Sequence, residues 1–331
     1  MSTVIRCLVI RFAAAVVVAL SGQAWALELK FATAYPANNF QTQNLQRYAD
    51  DVAAATANRL TIRLHPGGSL LKPTDIFAGV RAGKAEGGEA IMSSLAREIP
   101  LLEIDSLPFI VSGYQDAMRM WETSRSAVEQ ALAARGLKLL YAVPWPPQNL
   151  YSSRPLKSVA DFKGLRMRVY SPATERFSQL TGAVPVTIQV VDLQKAIADD
   201  QLDLMLTSSW TGVETQAWSR LKNYYRVNAW IPKNMVFMRQ DTFERLDPET
   251  QKKMLDLAKV AEQRGWQASR ESDQEYENKL SANGVSIQQL DPFMRRSLDR
   301  IGETLAREWL KKAGSEELKV LLRYTTERSM N

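Results

Sequence analysis

The chain has 331 residues, 45% hydrophobic and 24% charged, with one Cys, one His and a net charge of +6. That length fits two domains or one large one, and the composition is globular rather than disordered or collagen-like. The Cys and His counts exclude a disulfide framework and a Cys/His zinc site, so no metal site is expected.

Arg6 and Arg11 flank the start of a short apolar run, Phe12 to Leu20, and Ala24-Trp25-Ala26 supplies small residues ahead of Leu27. Residues 1–26 therefore read as a cleaved secretory signal, too short in its apolar part to span a bilayer, and the mature protein is expected to be exported without a membrane span. Removing the signal takes away two Arg and the one Cys and lowers the net charge to +4. The remaining charges alternate in sign along helical stretches, as from Arg264 to Lys279, with no basic block, so nucleic acid is not an expected partner.

Leu27 to Ala34 alternates as a strand, and Asn38-Asn39 can cap a helix whose apolar stripe is Leu45, Tyr48, Ala49, Val52 and Ala53. A strand at Leu60–Leu64, a helix near Thr74–Arg81 and a strand at Glu89–Met92 follow. A long helix from Tyr114 to Ala134 and a strand at Leu137–Val143 continue the alternation of a parallel, layered α/β domain. Pro144-Trp145-Pro146-Pro147 breaks the series and marks a crossover. A second series runs through the strand Leu165–Tyr170, a helix capped by Ser171-Pro172 and closed at Thr181-Gly182, Val184–Ile188, a helix after Asp192, and Leu202–Leu206. Two extended segments surround Pro232-Lys233-Asn234. A helix from Asp247-Pro248 to about Ser281 is long enough to act as a strut, and Val285–Gln288 and a helix over Pro292–Lys312 complete the pattern.

No motif for catalysis stands out. His65 sits beside a Pro-Gly-Gly turn, there is no Gly-x-Ser-x-Gly elbow, and neither a phosphate loop nor a dinucleotide fingerprint is present, so no cofactor is expected. The informative stretch is Lys163-Gly164-Leu165-Arg166-Met167-Arg168-Val169-Tyr170. Alternation puts Arg166 and Arg168 on one side of a strand near the crevice where open α/β sheets bind ligands, and a guanidinium fork suits a carboxylate. The pattern alone does not choose between the two.

Five segments occur in fixed order: Leu29-Lys30-Phe31-Ala32, Gly67-Gly68-Ser69-Leu70, Ser106-Leu107-Pro108-Phe109, Asp161 to Arg168, and Thr181 to Val186. Together they resemble the solute-binding proteins of tripartite ATP-independent periplasmic (TRAP) transporters, the DctP-like family. The resemblance implies an α/β, two-lobed periplasmic binding protein fold with a hinge and a long strut helix, and a receptor rather than an enzyme. It implies lobe I at 27–145 plus about 233–275, and lobe II at about 146–232 plus 276–331. The partners it implies are a small organic acid and the membrane permease subunits of the transporter.

The family's carboxylate-clamping Arg falls on Arg168, which leaves Arg166 as a surface or packing residue. Where some members carry a second pocket Arg this chain has Gln148, which implies a single anionic group in the ligand. A family carboxamide is replaced here by the hydroxyl of Thr207 or Ser208. Further pocket candidates are Tyr35, Asn39 and Phe40 after the first strand, Met92 and Ser93, the aromatics Trp145, Tyr170 and Trp210, and Asn234 on the return crossing. The aromatics favour an apolar or aromatic tail over a polyhydroxylated sugar acid, and with Gln148 they point to a monocarboxylate such as a 2-oxo or 2-hydroxy acid. A sensing partner of a receptor kinase would use the same pocket, and a secreted enzyme working through carboxylates is the remaining alternative.

Overall fold

The computed structural model describes residues 26–329, so the expected signal lies outside the described residues except for Ala26. The first strand, β1 (Leu27–Ala32), starts directly after it. The first half of the chain continues with α1 (Phe40–Ala55), β2 (Leu60–His65), α2 (Ile76–Arg81), β3 (Gly87–Ile91), α3 (Tyr114–Ala133) and β4 (Leu137–Pro144). After the crossover come β5 (Asn149–Ser152), β6 (Arg166–Val169), α4 (Pro172–Thr181), β7 (Val184–Thr187), α5 (Val190–Ala198), β8 (Leu204–Thr207), α6 (Ser209–Glu214) and β9 (Asn223–Arg226). The chain then returns through β10 (Lys233–Arg239) and α7 (Gln240–Glu244) to α8 (Pro248–Ala282), β11 (Ser286–Gln289), α9 (Pro292–Leu310) and α10 (Ser315–Ser329).

Local chemistry explains the element ends. Asn39 caps α1 by accepting from the Gln41 amide, and the stripe Leu45, Tyr48, Ala49 and Val52 is buried. Ser171 and Thr174 form a reciprocal cap on α4, Pro172 opens its first turn, and Gly182 closes it with a left-handed φ of 76°.

Two sheets result, ordered β2-β1-β3-β10-β4 and β11-β9-β5-β8-β6-β7. Each carries its own apolar core, with Phe31, Tyr48, Trp121 and Phe237 in the first and Phe162, Phe177, Leu206 and Trp230 on one side of the second. The sheets are mixed where the sequence pattern suggested parallel strands. β10 runs antiparallel to β3 and β4, and β5 runs antiparallel to β8 and β9. Both are the strands the chain enters straight from the opposite lobe, so no crossover helix sets their direction.

The two crossing segments pair with each other to form the hinge. Trp145 N donates to Pro232 O at 2.8 Å, Gln148 N to Trp230 O at 2.9 Å, and Ala229 N to Gln148 O at 2.9 Å. The third connection is α8, 35 residues and therefore about 52 Å long. Met254, Ala258 and Ala261 of α8 join the first core and Leu280 joins the second lobe. Gly265 lets α8 approach β4, since an added Cβ would sit 2.4 Å from Val143 Cγ2. Helix α10, beyond the last element read from the sequence, returns to the first lobe. Val320 and Tyr324 enter the first core, and Tyr324 Oη donates to Ile110 O at 2.9 Å. Residues 315–329, grouped by the sequence reading with the second lobe, thus pack on the first. No helix among the described residues is long and apolar enough to cross a membrane.

Candidate ligand-binding site

A cavity of about 170 Å³ lies between the lobes, at the carboxyl ends of the parallel strands. The first lobe supplies Tyr35 after β1, Phe77 of α2 and Glu89 of β3; the hinge supplies Trp145 and Gln148. The second lobe supplies Arg168, Tyr170, Gln189 and Val190, Thr207 at the end of β8, and Thr211.

Arg168 and Arg166 share a strand but not a fate. Arg166 is two-fifths exposed and grips Asp203 with both ends of its fork, Nε to Oδ2 at 2.9 Å and Nη2 to Oδ1 at 2.8 Å. Arg168 is 4% exposed, and among the described residues its guanidinium makes one hydrogen bond, Nε to Ile188 O at 3.0 Å. Its terminal nitrogens meet no carboxylate among those residues, and its guanidinium carbon stands 4.7 Å from the centre of the Tyr170 ring. Burial lowers Arg168 to about 10, so it stays cationic at neutral pH. A buried cation without a counter-ion is costly, and an anion brought by a ligand removes that cost.

The opposite wall is organised by Asn234. Its Oδ1 accepts from Trp145 Nε1 at 2.8 Å and from Tyr35 Oη at 3.3 Å, which fixes the amide so that Nδ2 donates to Glu89 Oε1 at 2.9 Å. Thr33 Oγ1 donates to the other Glu89 oxygen at 2.5 Å. Glu89 is 1% exposed and has no cationic partner among the described residues. Burial raises its carboxyl above the ordinary range, with the Asn234 and Thr33 donors pulling the other way. Burial likewise pushes Tyr35 up, and Tyr170 to about 12, so both phenols are neutral donors. Tyr170 Oη reaches Gln148 Oε1 at 3.4 Å, and Gln148 Nε2 donates to Pro146 O at 2.8 Å.

Six of the residues singled out from the sequence line this cavity: Arg168, Gln148, Thr207, Trp145, Tyr170 and Tyr35. The others lie behind it or at the seam between lobes. Asn234 is the hub just described. Ser208 caps α6, accepting from Thr211 N at 3.1 Å. Trp210 stacks on Tyr276 of α8 with ring centres 4.1 Å apart, and Phe40 is wedged between Trp210 and Trp145. Asn39 spends its Oδ1 on the α1 cap and its Nδ2 on Glu214 of α6, at 3.0 and 3.1 Å. Met92 and Ser93 are buried and do not line the cavity.

Several lining residues have no counterpart in the sequence reading, among them Phe77, Gln189, Val190 and Glu89. A signal for Glu89 is present: a lone acid in the otherwise small and apolar strand Gly87-Gly88-Glu89-Ala90-Ile91 needs a reason to be there.

Residues 31–312 match the DctP family, described as bacterial extracellular solute-binding protein, family 7. The chain belongs to this family. Its fold is that of solved members. DctP7 of Bordetella pertussis, an extracytoplasmic solute receptor binding pyroglutamic acid, is 38% identical with a TM-score of 0.89, covering 91% of this chain and 100% of that one. DctP6 of the same organism, also binding pyroglutamic acid, is 35% identical with a TM-score of 0.88 over 90% of this chain and 99% of that one. A marine metagenome TRAP solute-binding protein specific for pyroglutamate is 32% identical with a TM-score of 0.89, covering 91% and 99%. The family and these neighbours are solute-binding receptors, not enzymes.

Proposed function

We propose that this protein is the periplasmic receptor of a TRAP transporter, exported by residues 1–26, and that it captures a small cyclic monocarboxylate of the pyroglutamate class for delivery to the membrane permease. The observation that carries the reading is Arg168, a buried cation in the cavity wall without a carboxylate partner among the described residues. Its planar fork matches a carboxylate in two parallel hydrogen bonds. The neutral amide of Gln148 supports one anionic group rather than two. A cavity of about 170 Å³ favours a single small ring over a chain acid bearing a separate aromatic tail. Three neighbours above 30% identity, two binding pyroglutamic acid and one specific for pyroglutamate, support the same class.

Thermal unfolding across a panel of organic acids tests this. Pyroglutamate at 100 times its dissociation constant is expected to stabilise the native state by about 2.7 kcal/mol. A shift produced only by dicarboxylates or uronic acids overturns the ligand class.

A further inference from the structure

Glu89 costs stability where it stands. It sits on β3, an inner strand of the first sheet between β1 and β10, and a buried carboxyl there is unfavourable unless something uses it. Asn234 and Thr33 each donate one hydrogen bond to it. A carboxylate has about four acceptor sites, so about two remain, and Glu89 lines the same cavity as Arg168.

Asn234 cannot turn its carbonyl toward Glu89, because Trp145 and Tyr35 both donate to that oxygen. The first-lobe wall is therefore held in an acceptor state by three residues that do not themselves need a ligand. We infer that Glu89 is the specificity determinant of the site, accepting a hydrogen bond from an N–H of the ligand while Arg168 holds its carboxylate. This rests on the ligand class proposed above and adds a requirement to it: the bound acid must present a donor to the first lobe. A lactam N–H meets that requirement. A 2-oxo acid or a lactone offers only lone pairs and would leave two acceptors facing each other in a dry cavity.

The test is calorimetric titration of the wild-type protein and of Glu89→Gln with two probes, pyroglutamate and the lactone analogue in which a ring oxygen replaces the N–H. Gln keeps the shape, and its carbonyl is retained by Asn234 Nδ2, so the acceptor is weakened without emptying the site. The wild type is expected to prefer the lactam by about 30-fold or more, since a site built around a donor rejects the analogue lacking it. In Glu89→Gln the preference is expected to fall below about threefold, chiefly through weaker pyroglutamate binding. Equal wild-type affinity for the two probes overturns the role of Glu89 while leaving the carboxylate receptor standing, and this arm does not depend on the variant folding. Undiminished preference in a folded Glu89→Gln overturns it as well. If neither probe binds the wild type, the ligand class is overturned, and the Glu89 role with it.

Discussion

The two walls of the cavity are polar in opposite senses, a guanidinium on the second lobe and a carboxyl on the first, and among the described residues neither is matched by a charge of its own lobe. At the hinge the same protein treats buried charge differently. Lys233 and Asp105, each 1% exposed, pair with one another at 3.3 Å, and the Asp105 carboxylate also accepts from Lys233 N. Arg166, two residues from Arg168, is answered by Asp203 and Asp200. These two sets are paired with opposite charge inside the fold, whereas Arg168 and Glu89 meet no opposite charge among the described residues. The contrast fits the recognition role proposed for the two walls and an architectural one for the hinge pair.

Removing Arg168 is the largest disturbance available. Arg168→Ala is expected to weaken pyroglutamate binding by roughly 30-fold to several-thousand-fold, the cost of stranding one side of a buried charge pair. Arg168→Lys is expected to bind poorly too, because an ammonium lacks the planar fork. Arg166→Ala, by contrast, is expected to change affinity less than about threefold, since its pair with Asp203 is part-exposed. Calorimetry on folded variants compares all three, and a collapse in Arg166→Ala would reverse the assignment.

A smaller effect is expected where the walls are held together. Asn39→Ser keeps a capping oxygen on α1 and removes the hydrogen bonds to Glu214 across the seam. Affinity should fall by about tenfold, because the closed state loses a charge-assisted contact made between lobes. Arg97→Ala breaks a cross-lobe ion pair, to Glu175 at 2.7 Å, and is expected to matter little because Arg97 is 78% exposed. An Arg97 effect exceeding that of Asn39 would place the latch on the wrong side of the cleft.

The smallest expected effect separates Glu89 from a half-buried acid outside the cavity. Asp273 of α8 accepts from Ser209 Oγ at 2.9 Å, and burial, with Glu277 nearby, raises its carboxyl from 3.8 to about 6. A carboxyl raised in the folded state holds its proton more tightly there than in the unfolded chain. Its contribution therefore favours folding at low pH and is lost as pH rises from about 4 to about 6. Asp273→Asn removes that loss, so its stability relative to the wild type should rise across this window by about 1–3 kcal/mol. Urea unfolding at both ends of the window measures the difference, and a constant gap would contradict the assignment.

Much of the fold could be read locally. The Asn39 and Ser171 caps, the α1 stripe and the length of α8 depend on neighbours within a few residues, and they stand where the pattern puts them. Strand direction in β5 and β10 does not, because it follows from which lobe the chain arrives from. Alternation could not separate Arg166 from Arg168, since what distinguishes them is Asp203, which is distant in sequence and supplied by the neighbouring turn. Tyr35, Trp145 and Tyr170 line the cavity, but two other aromatic candidates do not, for a related reason. Phe40 and Trp210 are large apolar side chains near the cleft, but the seam between the lobes needs such residues as much as the ligand does. Glu89 was legible only as an acid out of place in its strand.

The most direct test of the whole account is a crystal structure of the protein with pyroglutamate bound. The carboxylate is predicted to lie within hydrogen-bonding distance of both terminal nitrogens of Arg168, with the ring N–H on Glu89 and the ring between the two walls. A carboxylate held elsewhere, with Arg168 still unpartnered, would contradict it.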